Sequence, residues 1–170
     1  MPDFPTSKPA LAGKSALKGA QIALEAMPEG YLLQIMGPTT PDALKGSLSA
    51  AGLSEGALRT AGYRQWFVAG DRPLPAATLG NLSRALPMGT FVSDQSHGRV
   101  RLRLSGSRAA ERLTTGTAVD LHPAVFAQGQ SAFTLFNHIS VLLTRTGAEE
   151  FELVVLRSFA EALYEELQHG

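Results

Sequence analysis

Between Phe91 and Gly106 the chain reads FVSDQSHGRVRLRLSG, which sets a carboxylate, a hydroxyl and an imidazole (Asp94, Ser96, His97) within four positions. Those three groups could make a nucleophile, a base and an orienting acid. Such a triad needs its members to converge from different elements, with the base held by a third group. Here they are near neighbours in sequence. In an extended segment Asp94 and Ser96 share one side and His97 points to the other. In a turn, the Asp94 carboxylate and Ser96 hydroxyl bond local backbone amides. Backbone capping at the start of the next strand is therefore the expected role, with Gly106 ending that strand. No catalytic residue is assigned.

The remaining histidines offer no stronger chemistry. His122 precedes Pro123 on an extended or turning loop and forms D-x-H with Asp120, but two potential ligands do not make a metal site. His138 falls inside an expected strand as a hydrogen-bonded sheet residue, and His169 belongs to a solvated tail. Neither G-x-G-x-x-G nor G-x-x-x-x-G-K occurs, so no dinucleotide or triphosphate cradle is legible. The sequence holds 0 cysteines, which removes disulfides, thiolate nucleophiles, iron–sulfur clusters and cysteine zinc sites. The expectation is a chain with no cofactor and no metal of its own.

Arg99, Arg101 and Arg103 alternate with Val100, Leu102 and Leu104, the period of a half-buried strand. Two readings of the arginines stand side by side. One is a patch that meets carboxylates of a partner or an anionic ligand tail, with Asp120 and His122 nearby. The other is a solvated face, paired with Glu149, Glu150 or Glu152 of the neighbouring hairpin and contributing only ~0–1 kcal/mol per pair.

The elements that carry these residues follow from pattern. The 170 residues suffice for one domain with a core, and 44% hydrophobic against 18% charged is globular composition. Fifteen Lys and Arg balance 15 Asp and Glu, so no overall field favours nucleic acid or an anionic membrane. Zero net charge also mildly favours life inside a complex. The apolar runs are far shorter than the ~20 residues a bilayer needs, and the N-terminus lacks a signal-peptide core. A cytoplasmic location is the default expectation.

Residues 1–28, rich in Pro, Ala, Gly and Lys, read as a mobile or partner-wrapped arm with one loose helical turn around Ile22–Ala26. A single domain is expected over 29–170, in two similar halves at about 29–90 and 91–170. GYLLQIMG and RQWFVAG read as strands. Thr40, Pro41 and Asp42 open a helix that Gly52 closes, with Leu44 and Leu48 on one face. Ala76–Leu86 is a weaker helix. After the arginine strand, SRAAERLTTG gives a helix with Ala109, Ala110 and Leu113 inward. Phe133–Thr144 and Phe151–Leu156 read as strands. A last helix opens at Ser158 with a Phe159, Leu163, Leu167 stripe. LLQIMGPTTPDAL aligns with VRLRLSGSRAAERL, and WFVAGDRPLPAATLGNL with LVVLRSFAEALYEEL. The fold class is α+β, a duplicated β-α-β-α-type unit around a largely antiparallel sheet.

FVSDQSHGRVRLRLSG, then TGTAVDLHP, then FELVVLRSFAEALYEEL resembles the gamma subunit family of heterotetrameric sarcosine oxidase. The D-x-S-H followed by a strand and glycine is also similar to the folate-binding domain of the glycine-cleavage aminomethyltransferase. The resemblance implies an accessory subunit docked on alpha, with beta and delta in the same complex. That complex converts sarcosine, tetrahydrofolate and oxygen to glycine, methylenetetrahydrofolate and hydrogen peroxide. The resemblance puts flavins, NAD and folate in alpha and beta and zinc in delta. The alternative function is a free-standing folate-binding protein or one-carbon transferase, and a third is an unrelated α+β scaffold.

Overall fold

The computed structural model describes residues 8–169. Its first elements are β1 (Leu17–Lys18), β2 (Ala23–Ala26), β3 (Tyr31–Met36), α1 (Pro41–Ala50), β4 (Ala57–Gly62), β5 (Gln65–Gly70), α2 (Thr78–Ala85) and β6 (Phe91–Asp94). They are followed by β7 (Arg99–Ser105), α3 (Ala109–Thr114), β8 (Ser131–Phe136), β9 (Ile139–Gly147), β10 (Glu150–Leu156), a 3-10 turn (Arg157–Phe159) and α4 (Ala160–His169).

Strand alternation sorts the apolar side chains into three clusters, and the clusters define the layers. Val100, Leu102 and Leu104 of β7 face the Ala109 and Leu113 side of α3 and the Ala160, Leu163, Tyr164 and Leu167 side of α4. Leu33 and Ile35 of β3, with Trp66 and Val68 of β5, meet Leu44 and Leu48 of α1 and Leu82 of α2. Between the two sheets lie Leu32, Ala61, Phe67, Ala69, Leu142 and Val154. The order is helices, sheet, sheet, helices.

The α+β class, the antiparallel pairing and the strand–helix repeat are all present. The repeat closes into two sheets rather than one: a six-stranded sheet, β1-β2-β7-β10-β9-β8, and a four-stranded sheet, β4-β5-β3-β6. Both copies turn from strand to helix through a glycine with positive φ, Gly37 (146°) and Gly106 (114°). A Cβ on Gly106 would sit 2.4 Å from the Gln21 carbonyl oxygen, so only glycine fits that turn. At α1, Thr40 Oγ1 accepts from the Ala43 amide and Pro41 takes the first turn, as its residue types require.

Several expectations are corrected. The described part of the expected arm is built into the larger sheet. Leu24 pairs with Leu104 and is fully buried, so Ile22–Ala26 is no helical turn. Only residues 1–7 of that arm lie outside the described residues. Because β7 would otherwise expose a bare edge, a segment as weakly patterned as Ala23–Ala26 is still recruited to it. The halves also exchange strands. β6, expected in the second half, pairs with β3, and β2 pairs with β7.

Phe133–Thr144 is not one strand but the hairpin of β8 and β9, turned at Asn137 with φ 51°. Asparagine tolerates that conformation better than most residues. In α4 the 3-10 turn shifts the buried stripe to Ala160, Leu163, Tyr164 and Leu167, leaving Phe159 46% exposed.

Candidate functional site

Asp94 ends β6, and the chain turns through residues 95–98 before β7 begins. Asp94 Oδ1 accepts the Ser96 amide at 2.9 Å and also the Ser96 hydroxyl. Ser96 Oγ in turn accepts the Leu32 amide at 3.0 Å. The hydroxyl proton therefore goes to a carboxylate, its lone pair goes to the backbone of β3, and exposed His97 hydrogen-bonds to neither. With Glu29 and Gly30 the three residues line a recess of about 350 Å³. A hydroxyl bonded in this way pins the β6–β7 turn onto β3 and has no base to activate it.

The arginine face is only partly at the surface, with Arg101 buried and Arg103 37% exposed. Odd positions of β7 point between the sheets, and the three arginines meet three different surroundings there. Arg101 is 7% exposed and spends its donors internally, with Nη2 bonded to Asp71 (2.6 Å) and to the carbonyls of Pro28 and Gly70. Its Nη1 faces Glu152, which is 2% exposed and also accepts from Arg59 Nε at 3.0 Å. Arg99 lies over the Phe67 ring at 5.1 Å, and burial lowers its guanidinium pKa. Arg103 pairs with Glu25 at 3.1 Å and Glu150 at 3.9 Å. The expected pairing with the hairpin holds, Arg101 with Glu152 and Arg103 with Glu150, but the solvated face does not hold for Arg101, because the second sheet that covers it is not legible from β7 alone.

Arg59, Arg101 and Glu152, with Tyr31, Glu55 and Asp71, line a cleft of about 840 Å³ at one end of the two sheets. Sequence reading missed it. Arg59 belongs to an edge strand, β4, that has no clear pattern in the sequence, and Tyr31 reads as ordinary strand material. Arg72 and Glu55 pair at its rim, both well exposed.

Asp120 and His122 do not adjoin the arginines. Asp120 Oδ1 accepts the His122 amide at 2.9 Å, and His122 Nδ1 accepts the Ala124 amide at 3.2 Å. Their loop packs through Leu121 and Phe126 on the opposite face of the larger sheet, the face that holds α3 and α4. Arg145, 3% exposed, clasps it by donating to the Leu121 and Phe126 carbonyls, and to Ala148 as well. This buried arginine also escaped the sequence reading, which saw only a hairpin.

His138 sits in the β8–β9 turn, 77% exposed and 3.8 Å from Glu166, so it is not a sheet residue. His169 is exposed, as expected, but it ends α4 rather than trailing from it, with its Nδ1 2.8 Å from the Glu165 carbonyl. Among the described residues, no three His, Asp or Glu side chains gather as a metal site, and no helix is long and apolar enough to cross a membrane.

A helices–sheet–sheet–helices fold built from a strand–helix repeat also occurs in solved structures of other proteins. Over 88% of this chain and 46% of the other, it superposes on glycine cleavage system aminomethyltransferase T from Bartonella henselae, with TM-score 0.62 and 18% identity. The chain thus spans about half the length of that enzyme. It superposes more fully on a chain of heterotetrameric sarcosine oxidase from Corynebacterium sp. U-96, with TM-score 0.80 and 23% identity, covering 95% of this chain and 92% of that one. The regulatory subunit of aspartate kinase from Thermus thermophilus shares the general arrangement at TM-score 0.51 and 11% identity, covering 91% of this chain and 97% of that one. At such identities these likenesses concern the fold. No curated protein matches in sequence. A sequence model of the sarcosine oxidase gamma subunit family matches residues 57–170, and the chain belongs to that family.

Proposed function

We propose that the chain serves as an accessory, non-catalytic gamma subunit of a heterotetrameric sarcosine oxidase, docked directly on alpha with beta and delta completing the complex. The observation that carries this reading is the family match over residues 57–170, which includes the Asp94 corner and both buried arginines. The local chemistry supports it, since the Ser96 hydroxyl is committed to Asp94 and to the Leu32 amide rather than to a base. In this reading the flavins, NAD, folate and zinc sit in the other subunits, and this chain contributes to the assembly. The complex oxidises sarcosine and passes the one-carbon unit to tetrahydrofolate.

The test is a peroxide assay with sarcosine on the purified chain, run beside a pull-down from cells co-expressing alpha, beta and delta subunits. The chain alone is expected to release no peroxide and to carry no flavin absorbance, while its tag retrieves alpha. Peroxide from the isolated chain, or a tag that retrieves nothing, overturns the proposal.

A further inference from the structure

The last row of side chains on the inner face of the larger sheet is apolar and uncovered. Val155 belongs to the helix-side core and Val154 lies between the sheets, so alternation turns Leu156 to the inner side as well. Leu156 pairs with Arg99 of β7, and one step beyond the Val155–Val141 pair it comes level with Ser140 of β9. Ser140 in turn pairs with Leu135 of β8. Arg99, Leu156, Ser140 and Leu135 thus form one row across the sheet. The smaller sheet leaves it open: Leu135 is 53% and Leu156 40% exposed, and Phe133, on the same face of β8, is 43% exposed. Between the two leucines stands only the short Ser140 side chain.

Arg99 ends this row with a charge that the chain does not answer. Its neighbours on β7 are paired, Arg101 with Asp71 and Glu152, Arg103 with Glu25 and Glu150. Among the described residues no carboxylate pairs with Arg99, and its Nε is buried without a hydrogen-bond partner. Burial alone moves its guanidinium pKa, downward, as for a cation with no anion beside it. The Phe67 ring lies 5.1 Å from the Arg99 guanidinium and stands edge-on to Phe133, with 6.3 Å between ring centres. The cation and the apolar side chains therefore share one surface. An unanswered arginine among exposed apolar and aromatic side chains is the composition of an interface core, not of a solvated strand face.

We infer that this end of the inner face is the docking surface for an apolar segment of the alpha subunit that carries one Asp or Glu side chain. Its carboxylate meets Arg99, and its apolar neighbours cover Leu135, Leu156 and Phe133. The inference rests on the subunit reading and names the surface through which it operates. A guanidinium already held against an aromatic ring loses little freedom on meeting a carboxylate. A second copy of the chain does not supply that charge, because a two-fold contact sets the same surface against itself and this surface carries no carboxylate.

The test is the affinity of the full chain for a purified complex of alpha, beta and delta, measured by biolayer interferometry. Leu135→Glu is expected to weaken binding at least about tenfold, as a charge in an interface core does. Arg99→Gln should weaken it about tenfold through loss of the charge-assisted bond, and should keep the parent's melting temperature because no internal ion pair is lost. A parent chain that binds while both variants bind as tightly overturns this inference and leaves the subunit reading standing. A parent that does not bind removes both. Parent affinity in Arg99→Gln alone refutes the carboxylate. If the isolated chain is a dimer that Leu135→Glu makes monomeric, a second copy takes the surface. If Leu135→Glu lowers the melting temperature of the full chain but not of one beginning at Lys8, the chain's own N-terminus takes it. Either result refutes docking of alpha there.

Discussion

Arg101 and Glu152 face each other in the interior, with Nη1 and Oε2 3.5 Å apart and side chains only 7% and 2% exposed. They come from adjacent strands, β7 and β10, and point into the space that the four-stranded sheet closes. Arg59 from that second sheet completes the group at 3.0 Å. Glu152 thus ties the two sheets by charge.

Removing one member of such a group leaves a buried charge poorly compensated, which costs about 3–5 kcal/mol. Arg101→Met should therefore lower the stability of the isolated chain by about that amount in a urea titration. Charge reversal at this position would disturb folding before assembly. A change within ~0.5 kcal/mol, the usual range of a surface substitution, would mean that Arg101 behaves as an exposed residue.

Asp94→Ala removes the acceptor for the Ser96 amide and hydroxyl and frees the turn before β7. Losing a cap of this kind typically costs ~1 kcal/mol. The expected outcome is a lower melting temperature with full activity in the assembled oxidase. Unchanged stability together with lost activity would restore a chemical role to the corner.

Much of the fold was legible because the alternation along β7 and the Thr40–Pro41 cap are local signals. Each dictates its element with no help from the rest of the chain. What stayed hidden depends on partners distant in sequence. Ala23–Ala26 becomes a strand only because β7 offers an edge, and Arg101 becomes an interior residue only because β4 and β5 lie over it. The Asp94, Ser96, His97 cluster was readable as a backbone device because its bonds span two residues. The cleft was not readable, since it joins Tyr31, Arg59, Arg101 and Glu152 from four different strands.

Lys14 tethers the segment before β1 to α4 through Glu161 at 2.9 Å and Glu165 at 2.7 Å. The hydrogen bond from Lys14 holds the Glu165 carboxyl below its usual 4.5. A carboxylate depressed in the folded state contributes stability above its unfolded pKa and loses it as pH falls through the folded value. Lys14→Gln should thus melt slightly below the parent at pH 6–8, with the gap closing toward about pH 3. A gap that is constant with pH would show that the ion pairs contribute nothing.

Arg145 holds the 120–126 loop by donating to the Leu121 and Phe126 carbonyls from within the core, with its guanidinium stacked 4.5 Å from the Phe151 ring. Lysine has neither the fork nor the planar face. Arg145→Lys should cost about 1–3 kcal/mol, the penalty for buried polar groups left unsatisfied, and should expose the loop to limited proteolysis. Wild-type cleavage kinetics in this variant would show that Leu121 and Phe126 anchor the loop without the clasp.

The central claim is membership of a larger enzyme, and native mass spectrometry of the complex tests it most directly. Co-expressed with alpha, beta and delta subunits, the 18.0 kDa chain should appear in the intact assembly at one copy for each alpha. A stable, active oxidase whose mass excludes this chain, with the chain detected only free in the same sample, would contradict the accessory-subunit reading.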